Sequence, residues 1–242
     1  MLFSYGSATD IGNFRPNNED NIMCDSITFD RISMCIGVVC DGIGGMKSGE
    51  YASTKMVEQF QQWWDSLKSS DLSEYDFDRL TNDFKDQIHK ANDQICRDSA
   101  INSIQTGSTL SGVIIVNNRF MTFNIGDSRV YLVNKSMIQL TSDDVTFVER
   151  RGNIKSVLNQ CIGHDQNIFI NTTIGSVNNK DSFLFCSDGF YKLMKRNELI
   201  KKLYWSKRNN NMTKLCCSLI NTIKQRGEKD NISVGIIKCF DK

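Results

Sequence analysis

Histidine and proline are the scarce residues of this 242-residue chain, which has two histidines, His89 and His164, and one proline, Pro16. So few imidazoles leave no material for a histidine-rich metal site. Neither histidine precedes a cysteine, which excludes the His-Cys-x5-Arg nucleophile loop of thiol-based hydrolases. The nine cysteines are an odd number and show no CxxC spacing, so neither a zinc site nor a disulfide framework is expected. No apolar run approaches the roughly 20 residues of a membrane span. The opening MLFSYGSATD has neither a basic stretch nor a long apolar one, so no secretory signal is read there. A net charge of +1 supplies no general field for nucleic acid or an acidic membrane. Linkers, repeats and low-complexity segments are absent as well. These absences lead to the expectation of one cytoplasmic, monomeric domain spanning residues 1–242, with neither nucleic acid nor membrane as partner.

What is present is a run of short strands and a few long helices. Strand-like segments are read at Leu2–Ala8, Ile32–Cys40, Leu110–Val116, Arg119–Ile125, Arg129–Val133, Met137–Leu140, Ser182–Cys186 and Ile232–Lys238. The four between Leu110 and Leu140 are separated by short polar connections and read as an antiparallel meander, followed by irregular chain. Apolar stripes at helical spacing run through Ala52, Met56, Phe60 and Trp64, through Phe77, Leu80, Phe84, Ile88, Ala91 and Ile95, and through Leu215, Cys216, Leu219, Ile220 and Ile223. Such stripes are core faces. Strands neighbour strands more than they alternate with helices, which predicts an α+β fold with an antiparallel β core covered by helices.

The stretch CDGIGGMKSG (40–49) raises the question of function. An apolar strand ends on Asp41, and Gly42, Gly44 and Gly45 follow within four positions. Glycines cost about 0.5–1 kcal/mol each in regular structure, so the cluster marks a required backbone shape or a close approach to something bound. A phosphate loop needs GxxxxGK[ST], but Met46 stands where its second glycine should be, and Lys47 breaks the GxGxxG pattern. A metal held by carboxylate is the other reading. Asp-Gly follows an apolar strand again at Asp188-Gly189, Asp127 follows the strand ending at Ile125, and Asp230 precedes the strand opening at Ile232. Arg15, Asn18, Glu19 and Asp20 form a further polar patch. Each aspartate alone is an ordinary turn residue. Four at strand ends would converge on one rim of a β core, and such hard oxygen donors suit Mg²⁺ or Mn²⁺.

Six segments, RPNNEDN (15–21), VVCDGIGGM (38–46), TGSTLSG (106–112), NIGDSRVYL (124–132), FLFCSDGF (183–190) and KDNISVGII (229–237), resemble in order the motifs of the metal-dependent protein phosphatases, type 2C (PPM) family. The resemblance spans nearly the whole chain and is closest to compact bacterial members. It implies an antiparallel β-sandwich of two sheets flanked by helix pairs, in α-β-β-α layers. It also implies a two-metal centre of Mn²⁺ or Mg²⁺ that activates water against phosphoserine and phosphothreonine without a covalent intermediate. By motif position Asp41 would bridge both ions and Gly42 would offer its carbonyl. Asp188 and Asp230 would complete the second ion, and Glu19 and Asp20 would hold ion-bound waters. Arg15 would clamp the substrate phosphate, and Asp127 with Asp188 would hold a third ion. Arg15, Asp41 and Asp188 are the residues assigned to catalysis. The implied partners are phosphorylated proteins, opposing a serine/threonine kinase.

This chain departs from the family pattern in two places. Animal and plant members carry histidine after Asp-Gly as a proposed general acid, where this chain has Ile43. Beyond the strands the expected Asp-His-Ser is replaced by Asp143-Asp144-Val145, and the flap that follows is expected to be truncated. Two rival functions remain: a pseudophosphatase that keeps the fold as a binding module, and a small-molecule phosphomonoesterase. A basic set, Lys192, Lys195, Arg196, Lys201, Lys202, Lys207 and Arg208, reads as a solvated helix face or as a dock for an acidic partner.

Overall fold

The computed structural model describes residues 1–29, 32–43, 48–72, 75–150, 153–207 and 210–241; Gly44, Gly45, Met46, Lys47 and Arg208 lie outside these. The strands are β1 (Leu2–Asp10), β2 (Asp20–Phe29), β3 (Ile32–Asp41), β4 (Leu110–Val116), β5 (Arg119–Ile125), β6 (Arg129–Val133), β7 (Met137–Gln139), β8 (Val145–Arg150), β9 (Asn153–Leu158), β10 (Asn171–Ser176), β11 (Ser182–Cys186) and β12 (Ile232–Phe240). The helices are α1 (Gly49–Lys68), α2 (Phe77–Asn102), α3 (Asp188–Tyr191), α4 (Arg196–Tyr204) and α5 (Met212–Gln225). One antiparallel sheet has the order β10-β5-β4-β3-β2 and the other β1-β12-β11-β6-β7.

Strand periodicity explains the layers. Along β3, Met34, Ile36, Val38 and Cys40 face α1 and α2 and pack with Phe60, Trp64 and Phe84. The alternate residues Cys35 and Val39 face the second sheet and pack with Val113, Phe183, Phe185 and Ile237. On the outer face of that second sheet, Leu184, Cys186, Val234 and Ile236 receive Leu199 and Leu203 of α4 and Cys216, Leu219 and Ile223 of α5. All three apolar stripes read from the sequence are thus buried, giving α-β-β-α layers. Phe185 fills the middle of the sandwich fully buried. A side chain on Gly37 or Gly235 would collide with its ring, so both strands carry glycine there. Truncating Phe185 to alanine would cost about 3–5 kcal/mol.

Three expectations need correction. The four strands from Leu110 to Leu140 are not a meander: β4–β5 belongs to one sheet and β6–β7 to the other. The chain crosses between sheets at Gly126, whose φ of +96° is left-handed and whose missing Cβ leaves room for the Thr109 side chain. The chain after β7 is not irregular, because β8 and β9 pair as a two-stranded ribbon and β10 joins the edge of the first sheet. β2 was not read as a strand at all. It is an edge strand with a mixed apolar and polar face, so period-2 alternation is weak there.

Candidate metal centre

The strand pairings bring several chain ends to one rim. Asp20, the first residue of β2, stands directly opposite Asp41, the last of β3. Cys186, at the end of β11, pairs with Arg129 at the start of β6 and with Val234 near the start of β12, so Asp188, Asp127 and Asp230 leave their strands at that rim too. Like charges opposite each other in a ladder are destabilising, so this rim is not built for stability.

Asp41 is fixed through its backbone rather than its carboxylate. Its N–H donates to Thr109 Oγ1 (3.1 Å), and its carbonyl accepts from Thr109 N (2.8 Å) and Ser108 Oγ (3.1 Å). Thr109 Oγ1 in turn shares a 2.8 Å hydrogen bond with Ser128 Oγ. The segment TGSTLSG therefore holds the loop end of β3 in place and leaves the carboxylate free. Gly42 donates its N–H to the Glu19 carbonyl (3.1 Å), and a Cβ there would stand 2.6 Å from the carbonyl oxygens of both Glu19 and Gly49. Only glycine fits between those two backbones.

The carboxylates act on one another. Burial, then the charges of Asp20, Asp188, Asp127 and Asp230, push the Asp41 carboxyl well above the usual range. Burial first, partly offset by Ser233 and Ser187, raises Asp20 to about 7. Asp127 rises to about 6, through burial and then the charge of Asp188, with Lys192 opposing. Glu19 is raised by burial, with Arg15 opposing. Asp20 is 3% exposed, and its Oδ2 accepts from Ser187 Oγ (2.8 Å). Among the described residues its Oδ1 has no hydrogen-bond partner. An orphaned carboxylate oxygen in a buried cluster of acids is costly unless a cation or proton completes it.

Among the described residues two cations reach the cluster. Arg15 forks onto Asp230, with Nε and an Nη each 2.8 Å from its oxygens. Lys192, half exposed, pairs with Asp188 one helical turn away. Among the described residues no three carboxylates close on a single point, and Asp230 and Asp188 are engaged by these side chains. The donor set nonetheless fits hard divalent ions. It is all oxygen, it has more negative groups than cations, and it leaves Asp20 Oδ1 unsatisfied. His89 and His164 are exposed elsewhere on the surface.

One residue of the centre escaped sequence reasoning although it lies inside a quoted motif. Asn231 is buried; its Oδ1 accepts from Glu19 N (3.0 Å), while its Nδ2 donates to the carbonyls of Ile11 (2.9 Å) and Asn17 (2.9 Å). It therefore ties the whole 11–19 loop, Arg15 included, to the strand start that carries Asp230. Only the Asp-Asn dipeptide hinted at it, and that reads as ordinary loop chemistry.

A family model described as protein phosphatase 2C matches residues 17–230 of this sequence. The chain belongs to the protein phosphatase 2C family. Among relatives, "Serine/threonine phosphatase stp" of Listeria welshimeri is 26% identical, the match covering 95% of this chain and 93% of that one. The Mycobacterium tuberculosis serine/threonine phosphatase PstP/Ppp superposes with a TM-score of 0.79 at 21% identity over 100% of both chains. A catalytic domain of PstP in complex with two manganese ions superposes at 0.75 and 22% identity, covering 99% of each chain. At such identities the structural likeness is one of fold, and it matches the α-β-β-α layering. Among the described residues no helix is long and apolar enough to cross a membrane.

Proposed function

We propose that this protein phosphatase 2C member hydrolyses phosphoserine and phosphothreonine in proteins with two divalent ions, Mn²⁺ or Mg²⁺, and without a covalent intermediate. The observation that carries the reading is the buried acidic cluster around Asp41 with the unpartnered Asp20 Oδ1. Asp41, the Gly42 carbonyl, Asp188 and Asp230 would hold the ions, with Glu19 and Asp20 holding their waters and Asp127 with Asp188 serving a third. When bound, such ions neutralise the phosphate and acidify a water for in-line attack.

The chain's own residues account for the remainder. Asp20 and Asp41 hold protons while no ion is present and release them on binding, which makes affinity rise with pH. Arg15 is anchored on Asp230 and forks naturally onto two oxygens, so an incoming phosphate can replace the carboxylate on the same guanidinium face. Asn231 holds the loop that aims it. Ile43, whose N–H donates to the Gly107 carbonyl (3.0 Å), brings no titratable group to the leaving oxygen. The leaving-group proton therefore comes from water, and rates should depend strongly on leaving-group pKa.

We further place this activity in one catalytic domain spanning 1–242, acting as a cytoplasmic monomer against a serine/threonine kinase. All nine cysteines are free thiols, which suits a reducing compartment. The test is hydrolysis of an aryl phosphate and of a phosphothreonine peptide with Mn²⁺ or Mg²⁺, with and without chelator. Full activity after chelation would overturn the reading.

A further inference from the structure

Far from the metal centre, two anomalies meet at the end of α4. Lys238, in β12, is fully buried, and among the described residues no carboxylate is bonded to it. Its Nζ donates to the carbonyls of Leu203, Tyr204 and Ser206 (2.8 Å for the last) and to Ser206 Oγ (3.0 Å). Burying an ammonium on neutral acceptors is costly, although the negative end of a helix offsets part of the cost. What this arrangement secures is the turn at 203–206. That turn presents Trp205, 74% exposed, edge-on to Tyr204 at 5.2 Å and 87°.

A lone exposed aromatic needs no explanation. Trp205, however, walls a groove of about 490 Å³, together with Ile200, Tyr204, Asn197, Lys135 and Lys201. Lys135 and Lys201 are exposed at its edge. The only carboxylate of α4, Glu198, is already taken by Arg226 and Lys202, and among the described residues neither Lys135 nor Lys201 forms an ion pair, so the groove has apolar walls and a positive rim. It also lies away from the chemistry. Lys135 sits in the β6–β7 turn, and β6 begins beside Asp127, so five residues at ~3.3 Å each put about 15 Å between the two ends.

We propose that the Trp205 groove docks an acidic segment of a partner protein, whose large apolar side chain packs between Trp205 and Ile200 while its carboxylates meet Lys135 and Lys201. Charge complementarity selects an acidic occupant, and the apolar walls of Ile200, Tyr204 and Trp205 receive its side chain. A nucleic-acid strand would need a longer track of cations than this rim offers, and the net charge of +1 supplies no wider field for one. This docking is independent of the metal centre, and on a phosphoprotein it adds a second point of attachment.

Trp63 and Trp64 are buried, so Trp205 is the tryptophan that reports on solvent. The experiment titrates the full chain with an unphosphorylated glutamate-rich peptide carrying one central phenylalanine. Expected are a blue shift of tryptophan emission, half-saturation on the order of 10–100 μM, and weakening as salt is raised. Lys201→Glu should weaken binding about tenfold, the scale of one lost charge contact at an interface, and Trp205→Ala should abolish the heat of binding in calorimetry. Both exposed-site variants should keep the wild-type melting temperature and wild-type turnover of an aryl phosphate with Mn²⁺. No spectral change at about 1 mM peptide, roughly −4 kcal/mol of binding, would overturn the proposal. So would equal affinity for the peptide with alanine in place of phenylalanine, or tighter binding of a single-stranded oligonucleotide.

Discussion

The two sides of the acidic rim balance their charge in different ways. On the β2–β3 side, Asp20 and Asp41 face each other across a ladder with no basic partner among the described residues, and both are pushed toward the protonated form. On the α3–β12 side, Asp188 and Asp230 are partly buried, and each holds a cationic side chain, Lys192 or Arg15. The inner side thus stores protons and the outer side stores cations. If the divalent ions bind as proposed, they would take the place of a proton on one side and of a side chain on the other. This difference teaches that side chains proposed to hold the same ion can balance their charge by different means.

The most severe test of this contrast is Asp41→Asn. Turnover with Mn²⁺ should fall at least about a hundredfold, since even outer partners of a metal act on that scale. The variant replaces the carboxyl by a neutral amide of the same shape and leaves the backbone bonds of Asp41 to Thr109 and Ser108 intact, so the chelated protein should melt no lower than wild type at pH 8. A clear fall in melting temperature without metal would show that Asp41 is a structural residue.

Next comes the pH dependence of stability in chelator. Asp20 has a folded value of about 7 against an ordinary 3.8, and Asp127 about 6, so the folded state binds these protons more tightly than the unfolded state does. Their stabilising effect is complete below pH 3.8 and is lost as pH rises through about 6 to 7. Chelated protein should therefore be more stable at about pH 5.5 than at pH 8, by on the order of a few kcal/mol. With saturating Mn²⁺ the trend should reverse, because the ion binds the deprotonated form. A chelated protein that gained stability toward pH 8 would break the inner half of the comparison.

On the outer side, Arg15→Ala should raise KM about ten- to a hundredfold, the worth of a bidentate charged contact, with Mn²⁺ affinity unchanged or tighter. Asn231→Ala should act in the same direction, because it frees the loop that carries Arg15. If either substitution weakened Mn²⁺ binding in calorimetry as much as Asp41→Asn does, the division into proton-held and cation-held sides would fail. The smallest effect is expected from Lys192→Ala. Its lysine is half exposed, so Mn²⁺ affinity should tighten by no more than about fivefold, as for other surface pairs.

How much of this was legible beforehand depended on range. Asp41-Gly42 and Asp188-Gly189 announced themselves because a strand end followed by acid and glycine is a local pattern, and the stripes of α1, α2 and α5 were equally local. The pairing of Arg15 with Asp230 spans 215 residues, and no periodicity encodes it. The expected meander failed because turn residues tell where strands stop but not which sheet the next one joins. The Gly126 crossover, with Thr109 packed against it, decided that. Lys238 read as the polar end of a strand, yet strand alternation puts it on the helix-covered face with Val234 and Ile236, where the α4 carbonyls receive it.

By itself, then, the sequence determined an antiparallel β core covered by helices and the residue types at the rim, because burial periodicity and strand-end chemistry act within a few residues, while the α-β-β-α layering came with the family resemblance. The tertiary structure alone decided which carboxylates share a field, which of them meet a cation, and that Asn231 joins loop 11–19 to the strand start beside Asp230. Those outcomes depend on distances between segments that only sheet pairing brings together, and both charge coupling and hydrogen bonding vanish unless the groups are neighbours in space.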